Sequence, residues 1–371
     1  MNIFYLFFVI LSCLSSYACE DKQLSDQCST LEDSYLLPSR KSCRETIRIL
    51  SLEGGGMRAV TELEILRHIE REAGKPICQL FDIIGGTSAG AILAALLTVP
   101  DNPSLPYEEW MPRYSADQIS DNLLADRFNI FKKTYSCKGL LGALYSNSSL
   151  KEVGERFFGT TTFDQSIIPT LVTTFDMDTQ EIKIIKSWSK KKIFSTADAV
   201  FSSAAGPVYF PPYLAGSSGP DGFKENLLID GGIYAMDPTL FLRDCARNKK
   251  LFPNAKNFEI VALGSGKCKL PFDRIRHISH GVMGWGPILP DLFLTAGSCA
   301  SEYLMRKESQ QLGIETLRYS KWSPTLSYSM FGIDNTSDNA VQFYREATEK
   351  LLIERQDEFK DMVRRLKEEA A

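Results

Sequence analysis

The apolar positions of the chain change period several times, and each change marks an element. Ile47, Ile49, Leu50 and Leu52 form a β-branched and leucine run of strand length, and Phe81, Ile83 and Ile84 form a second. Both runs stop in glycines: Gly54, Gly55 and Gly56 after the first, and Gly85, Gly86 and Gly90 around Thr87, Ser88 and Ala89 after the second. Between them, Val60 to Glu72 sets Leu63, Leu66 and Ile69 among Glu62, Arg67, Glu70 and Arg71, the pattern of an amphipathic helix laid on a sheet, with His68 at its surface or in its packing. Ala89 to Leu97 is apolar almost all round, which predicts a buried helix.

Further along, Leu150 to Phe158 predicts a short helix. Thr170 to Phe175 and Glu181 to Ser187, carrying Val172, Ile182, Ile184 and Ile185, predict a hairpin, so the sheet is expected to be mixed. Thr196 to Ala205 is a small-residue helix running into Tyr209, Phe210, Pro211 and Pro212, a stiff corner that either walls a pocket or simply packs. Leu227 to Ile229 is a short strand ending at Asp230, Gly231 and Gly232, with Asp237 and Pro238 placed like the cap and first residue of a helix. Phe258 to Leu263 is another strand, ending in Gly264, Ser265 and Gly266. Pro100 to Ser136, with Trp110, Met111, Phe128, Ile130 and Phe131 spaced through it, reads as a substrate lid or as an ordinary helical excursion. Val341 to Glu369 puts Phe343, Leu351, Leu352, Phe359, Met362, Val363 and Leu366 at helical spacing among balanced charges, a capping helix or pair.

A chain of 371 residues with a formal net charge of −4 and 44% hydrophobic content can bury a sizeable core, and this balance excludes a disordered tail or a nucleic-acid binder. Lys190, Lys191 and Lys192 read as a solvated turn rather than a basic patch. Met1 to Ala18 carries no charge, and its apolar run Ile3 to Leu11 leads to Ser16 and Ala18, spaced like a cleavage site. Residues 1–18 are therefore expected to be a signal peptide and the protein exported or secreted; the alternatives are a retained N-terminal membrane anchor or a lipid-modified Cys19. Nine cysteines without a C-x-x-C pair predict no metal site. In an oxidising compartment Cys28 and Cys43 could pin residues 19–44, whereas Cys78, Cys245 and Cys299 are expected to be ordinary buried thiols.

The chemistry sits at the glycine turns. Gly86-Thr87-Ser88-Ala89-Gly90 matches G-x-S-x-G, in which flanking glycines allow a sharp strand-to-helix bend that exposes the serine hydroxyl at a helix N-terminus. An attacked ester also needs backbone N–H groups aimed at its oxyanion. Gly54, Gly55 and Gly56 together with Ala89 could supply them, while Arg58 adds a positive charge for substrate or a brace for the loop. Asp230, at a strand end beside two glycines, is placed to project into a cleft. If the strands before Ser88 and Asp230 are neighbours in one sheet, their ends meet.

In this order the Gly54-Gly55-Gly56-Met57-Arg58 loop, the Ser88 elbow and the Asp230-Gly231-Gly232 turn resemble the patatin-like phospholipase family, over about Ile47 to Gly266 and including the Ser203 to Pro212 segment. The resemblance implies a three-layer α/β/α fold with a mixed, mainly parallel central sheet. It implies a catalytic core at 45–266, and the helical spacing beyond that core predicts a C-terminal helical part, 267–371, packed on it. It also implies a Ser-Asp dyad, Ser88 as nucleophile and Asp230 as base, hydrolysing acyl esters of phospholipids or other lipids without calcium or cofactor, as a peripheral protein at a membrane surface. Three positions depart from the family pattern: Glu53 stands for an aspartate, Ala59 for a glycine, and Met236-Asp237 for an Asn-Asn pair. Competing readings are a Ser-His-Asp carboxylesterase using His277 or His280, a nucleotide-binding module on the Gly54 loop, which lacks both G-x-G-x-x-G and G-K-[ST], and a non-catalytic lipid-binding protein.

Overall fold

The computed structural model describes residues 44–134, 142–189, 191–268, 285 and 289–368, all within one compact unit, Tyr35–Ala371. The expected leader, Cys19, Cys28, Cys43, Lys190, His277 and His280 lie outside the described residues. A central sheet runs through this unit, built from β1 (Thr46–Leu52), β2 (Ile83–Gly86), β3 (Thr170–Asp176), β4 (Glu181–Lys186), β5 (Ile193–Phe194), β6 (Tyr213–Gly219), β7 (Gly222–Asp230), β8 (Asn257–Leu263) and β9 (Leu317–Trp322). Its order is β5-β6-β7-β3-β2-β1-β8-β9, with β4 also paired to β3. From β3 to β9 neighbouring strands are parallel, and the β7, β6 and β5 end is antiparallel.

Period-two alternation sorts the central strands onto two helical layers. Leu50 and Leu52 of β1, Ile84 of β2, Val172 of β3 and Val261 of β8 pack on one side with Leu63, Ile65 and Leu66 of α1 (Val60–Ala73), Leu93 of α2 (Ala89–Leu96) and Val200 and Phe201 of α5 (Thr196–Ala204). That side is extended by α3 (Ala116–Ile130) and α4 (Asn147–Phe158). Ile47, Ile49, Ile83, Leu171 and Ile260 point the other way, onto Leu242 and Cys245 of α6 (Thr239–Ala246) and Met305 of α7 (Leu289–Leu312). This is the expected three-layer α/β/α architecture.

The C-terminal segment contributes β9 at the sheet edge as well as α8 (Asp338–Glu354) and α9 (Gln356–Lys367). Arg48 is buried, and its guanidinium donates to the carbonyls of Leu366 and Arg365 at 2.6 and 2.7 Å, which satisfies the carbonyl end of α9 and fastens it beside β1. Cys78 and Cys245 are buried, but Cys299 is exposed, because it lies on the solvent side of α7. Among the described residues no helix is long and apolar enough to cross a membrane.

The strands carrying the two singled-out side chains are not lateral neighbours. β4 pairs along one edge of β3, from Leu171 to Asp176. On the other edge β2 runs beside residues 170–172 in parallel, and β7 runs beside residues 174–176 in the opposite sense. The two strands therefore approach each other head-on, their C-terminal ends separated by Thr173 alone. Gly231 passes so close over this residue that a Cβ there would sit 2.3 Å from Thr173 Oγ1. Thr173 Oγ1 also lies 2.7 Å from Thr87 Oγ1, and Thr87 donates to the Ala235 carbonyl at 2.6 Å, so both incoming chains are tied to the junction.

Candidate active site

Ser88 stands between β2 and α2 with φ 55° and ψ −122°, a left-handed conformation that a side chain other than glycine's rarely holds. The flanking glycines make it sterically feasible. A Cβ on Gly86 would sit 2.1 Å from the Gly90 carbonyl oxygen, and one on Gly90 would sit 2.5 Å from the Leu52 carbonyl oxygen. The Ser88 N–H donates to Ser203 Oγ at 2.9 Å, which fixes the elbow from α5. The N–H of Ala89, at the positive end of α2, has no hydrogen-bond acceptor among the described residues.

Asp230 is buried at the end of β7, and its carboxyl lines the same cavity as Ser88. Its Oδ1 accepts the Gly232 N–H at 2.6 Å, and its own N–H donates to the Ala205 carbonyl at 3.1 Å. Burial pushes this carboxyl up to about 6, against the Gly232 N–H and the neighbouring Ser88 hydroxyl, which favour the anion. A group so placed is a better base at neutral pH than a solvated aspartate.

The glycine loop lies opposite. Gly54 was expected among the oxyanion donors, but its N–H is spent on the Met236 carbonyl at 3.0 Å, so it is not one of them. Gly55 and Gly56 have N–H groups without an acceptor among the described residues. Their orientation follows from planar trans peptides, in which N–H and C=O point in opposite directions. The Gly54 carbonyl accepts from Ser265 Oγ at 2.7 Å and the Gly55 carbonyl from the Arg58 N–H at 3.1 Å, so the next N–H in each case faces away from these anchors.

Of the two roles open to Arg58, the geometry matches the brace. Its side chain is buried, reaches back to the Gly55 carbonyl at 3.4 Å and stacks 3.9 Å over the Phe331 ring, and it does not line the cavity. A direct contact with substrate is thus not what the fold provides at this position.

Ser88, Ala89, Gly56 and Asp230 open on a cavity of about 110 Å³. Its wall is apolar: Met57 and Leu63 beside the loop, Ile92 and Leu93 from α2, Leu123, Leu124 and Ile130 from α3, and Tyr209 and Phe210 from the aromatic corner. From the Pro100 to Ser136 stretch it is α3 that walls this cavity, and the Tyr209-Phe210 corner walls it as well. Ser88, the Asp230 carboxyl and the N–H groups of Gly56 and Ala89 bring hydrogen-bonding groups to this apolar wall. Such an arrangement suits attack on an ester whose acyl chain lies along the apolar wall.

Three contributors were not singled out beforehand. Ser203 and Thr173 hold the elbow and the junction through single hydroxyls, which leave no mark in a hydrophobicity pattern. Ser265 sits in a strand-end glycine turn, Gly264-Ser265-Gly266, of the same kind as the other two, and that signal could have found it.

Comparison with known proteins gives a consistent picture. A family model described as patatin-like phospholipase matches residues 50–243. Patatin-like protein 1 of Arabidopsis thaliana is 29% identical over 268 residues, covering 66% of this chain and 61% of that protein. Patatin group M-3 of Solanum tuberosum is 26% identical over 306 residues, covering 76% of this chain and 70% of that protein. The chain thus spans under two thirds of the length of the first of these relatives. The crystal structure of VipD from Legionella pneumophila aligns with TM-score 0.34 at 16% identity, over 84% of this chain and 67% of that one.

Proposed function

Because the chain belongs to the patatin-like phospholipase family, matched over residues 50–243, we propose that it is a lipid acyl hydrolase of phospholipase A or lysophospholipase type that works through Ser88 and Asp230. The observation that carries this reading is that Ser88, on its strained elbow, and the buried Asp230 carboxyl line one apolar cavity. Ser88 Oγ attacks the ester carbonyl while its proton passes to the Asp230 carboxylate. The resulting oxyanion is met by the N–H groups of Gly55, Gly56 and Ala89, each stabilising it by on the order of 3 kcal/mol. Collapse of the tetrahedral intermediate expels the alcohol, which takes the proton from Asp230, and leaves an acyl-Ser88 ester. Asp230 then accepts a proton from water as it attacks the acyl-Ser88 ester, and returns it to Ser88 Oγ as the second tetrahedral intermediate collapses and the fatty acid leaves.

No metal ion or cofactor enters these steps, since backbone amides face the developing charge and the buried carboxyl is base enough near neutral pH. The phospholipid is drawn from a membrane surface, with its head group left outside the cavity. The deciding experiment is mass spectrometry of the products formed from mixed phospholipid vesicles, run beside Ser88→Ala. Free fatty acid and lysophospholipid are expected from the native protein alone. Equal release by Ser88→Ala would overturn the assignment.

A further inference from the structure

A buried ionic cluster lies directly behind the glycine loop, and the proposed reaction uses none of its charges. Lys321 of β9 is almost fully buried, with Nζ 2.7 Å from Asp237 Oδ2 and 3.1 Å from Glu53 Oε1. Both carboxylates are buried as well and mark two of the three departures from the motifs this chain resembles. Glu53 is the first residue after β1 and opens the glycine loop; Asp237 follows the Asp230 turn. Attraction to Asp237 and Glu53 holds the Lys321 ammonium well above its ordinary value despite burial, so the cation is permanent. Glu62 accepts the Glu53 N–H at 2.8 Å, and burial together with the Glu53 charge raises its carboxyl well above the usual range.

The cluster is joined to the loop by specific bonds. Glu53 Oε2 accepts the Ser265 N–H at 3.1 Å, Ser265 Oγ donates to the Gly54 carbonyl at 2.7 Å, and that carbonyl sets the opposite direction of the Gly55 N–H. On the other side Asp237 accepts from Ser51 Oγ at 3.2 Å and from the Thr239 N–H at 3.0 Å, and the preceding residue, Met236, takes the Gly54 N–H at 3.0 Å. Gly55 must be glycine here, since a Cβ would lie 2.3 Å from Ser265 Oγ.

We infer that Lys321 is a positioning residue for the oxyanion donors: by drawing Glu53 and Asp237 onto one cation it orients the Gly54-Gly55 peptide so that the Gly55 N–H faces the reacting carbonyl. The inference rests on the proposed acyl hydrolysis. Lys321 touches no substrate; it acts through Glu53, Ser265 and Gly54. Its effect falls on the transition state, where the oxyanion forms, and not on binding of the neutral ester.

The test is steady-state hydrolysis of a soluble fatty-acyl ester by three forms of the full chain: native, Ser265→Ala, and the charge-neutral triple variant Lys321→Met, Glu53→Gln, Asp237→Asn. Activity of the native form and its loss in Ser88→Ala establish the underlying reaction first, so a failure there is distinct from a failure of this inference. Ser265→Ala leaves the ionic cluster intact and removes only the link to Gly54. Both other variants are expected to lose about 10²-fold in kcat, as for a displaced oxyanion donor, at unchanged KM. The acidic limb of the pH–rate profile should stay in place, because Asp230 is untouched. Native kcat in Ser265→Ala would overturn the inference whether or not the triple variant folds. A folded triple variant with native kcat would overturn it equally, as would a rise in KM that accounts for the whole loss.

Discussion

The pH dependence of turnover tests the assignment of the base most directly. Burial sets the Asp230 carboxyl at about 6, and only its anion can take the Ser88 proton. With that value about 97% of the sites are ionised at pH 7.5 and about 9% at pH 5, so kcat/KM on a soluble ester should fall roughly tenfold between them and a further tenfold by pH 4. An aspartate at its ordinary value of 3.8 would lose only about 6% by pH 5. The limb does not arise from unfolding driven by Asp230. Its folded value is raised above the unfolded one, so the stability it contributes is fully present below the unfolded value and lost as pH rises through about 6. Acidification over this window therefore favours the fold at this residue, and circular dichroism at pH 5 should match that at pH 7.5. A carboxyl titrates with almost no enthalpy, unlike an imidazole, so the midpoint should barely move between 10 and 35 °C. Asp230→Asn should lower turnover by about 10²- to 10⁴-fold while staying folded. A flat profile down to pH 5 would refute a base with the raised value, and near-native turnover in folded Asp230→Asn would return the base to His277 or His280.

Two further outcomes follow from the same geometry. Gly90→Ala should place a Cβ 2.5 Å from the Leu52 carbonyl oxygen and 2.6 Å from that of Glu53, forcing apart the elbow and the glycine loop; a loss of about 1–3 kcal/mol in urea unfolding is expected together with loss of turnover, and native values of both would contradict the packing. Chelation with EDTA should leave hydrolysis of a soluble ester unchanged, since amides meet the developing charge; a reversible requirement for calcium would exclude the mechanism.

The elements nearest the chemistry were the most legible in the sequence, because steric necessity writes itself as glycine. Gly86 and Gly90 can be nothing else where one strand end, one helix start and the Leu52 carbonyl crowd together, and Gly231 is forced by Thr173. The apolar run Ile47–Leu52 likewise gave a strand, though not which side of the sheet each residue faces. What stayed hidden depends on partners distant in sequence. The diversion of the Gly54 N–H to Met236 is a backbone contact that no side chain announces. β9 escaped notice because Arg318 and Lys321 break its apolar pattern; a lysine in a strand reads as solvent-facing, and here it is buried to neutralise carboxylates. Strand order was also invisible, and with it the placement of β3 beside both β2 and β7.

The head-on meeting of β2 and β7 makes β3 a ruler. The strand ends leading into the proposed nucleophile and base are set by the rise of one strand, two residues or about 7 Å from the register of Gly86 to that of Asp230. A strand's rise is nearly invariant, whereas loops drift in length. Most of the apolar wall comes from elements that lie off this ruler, such as α3 and the aromatic corner. Lengthening, trimming or recasting them changes which acyl chain is held without altering the separation of the two reacting groups. On the proposed reaction, the fold thus uncouples what is hydrolysed from how.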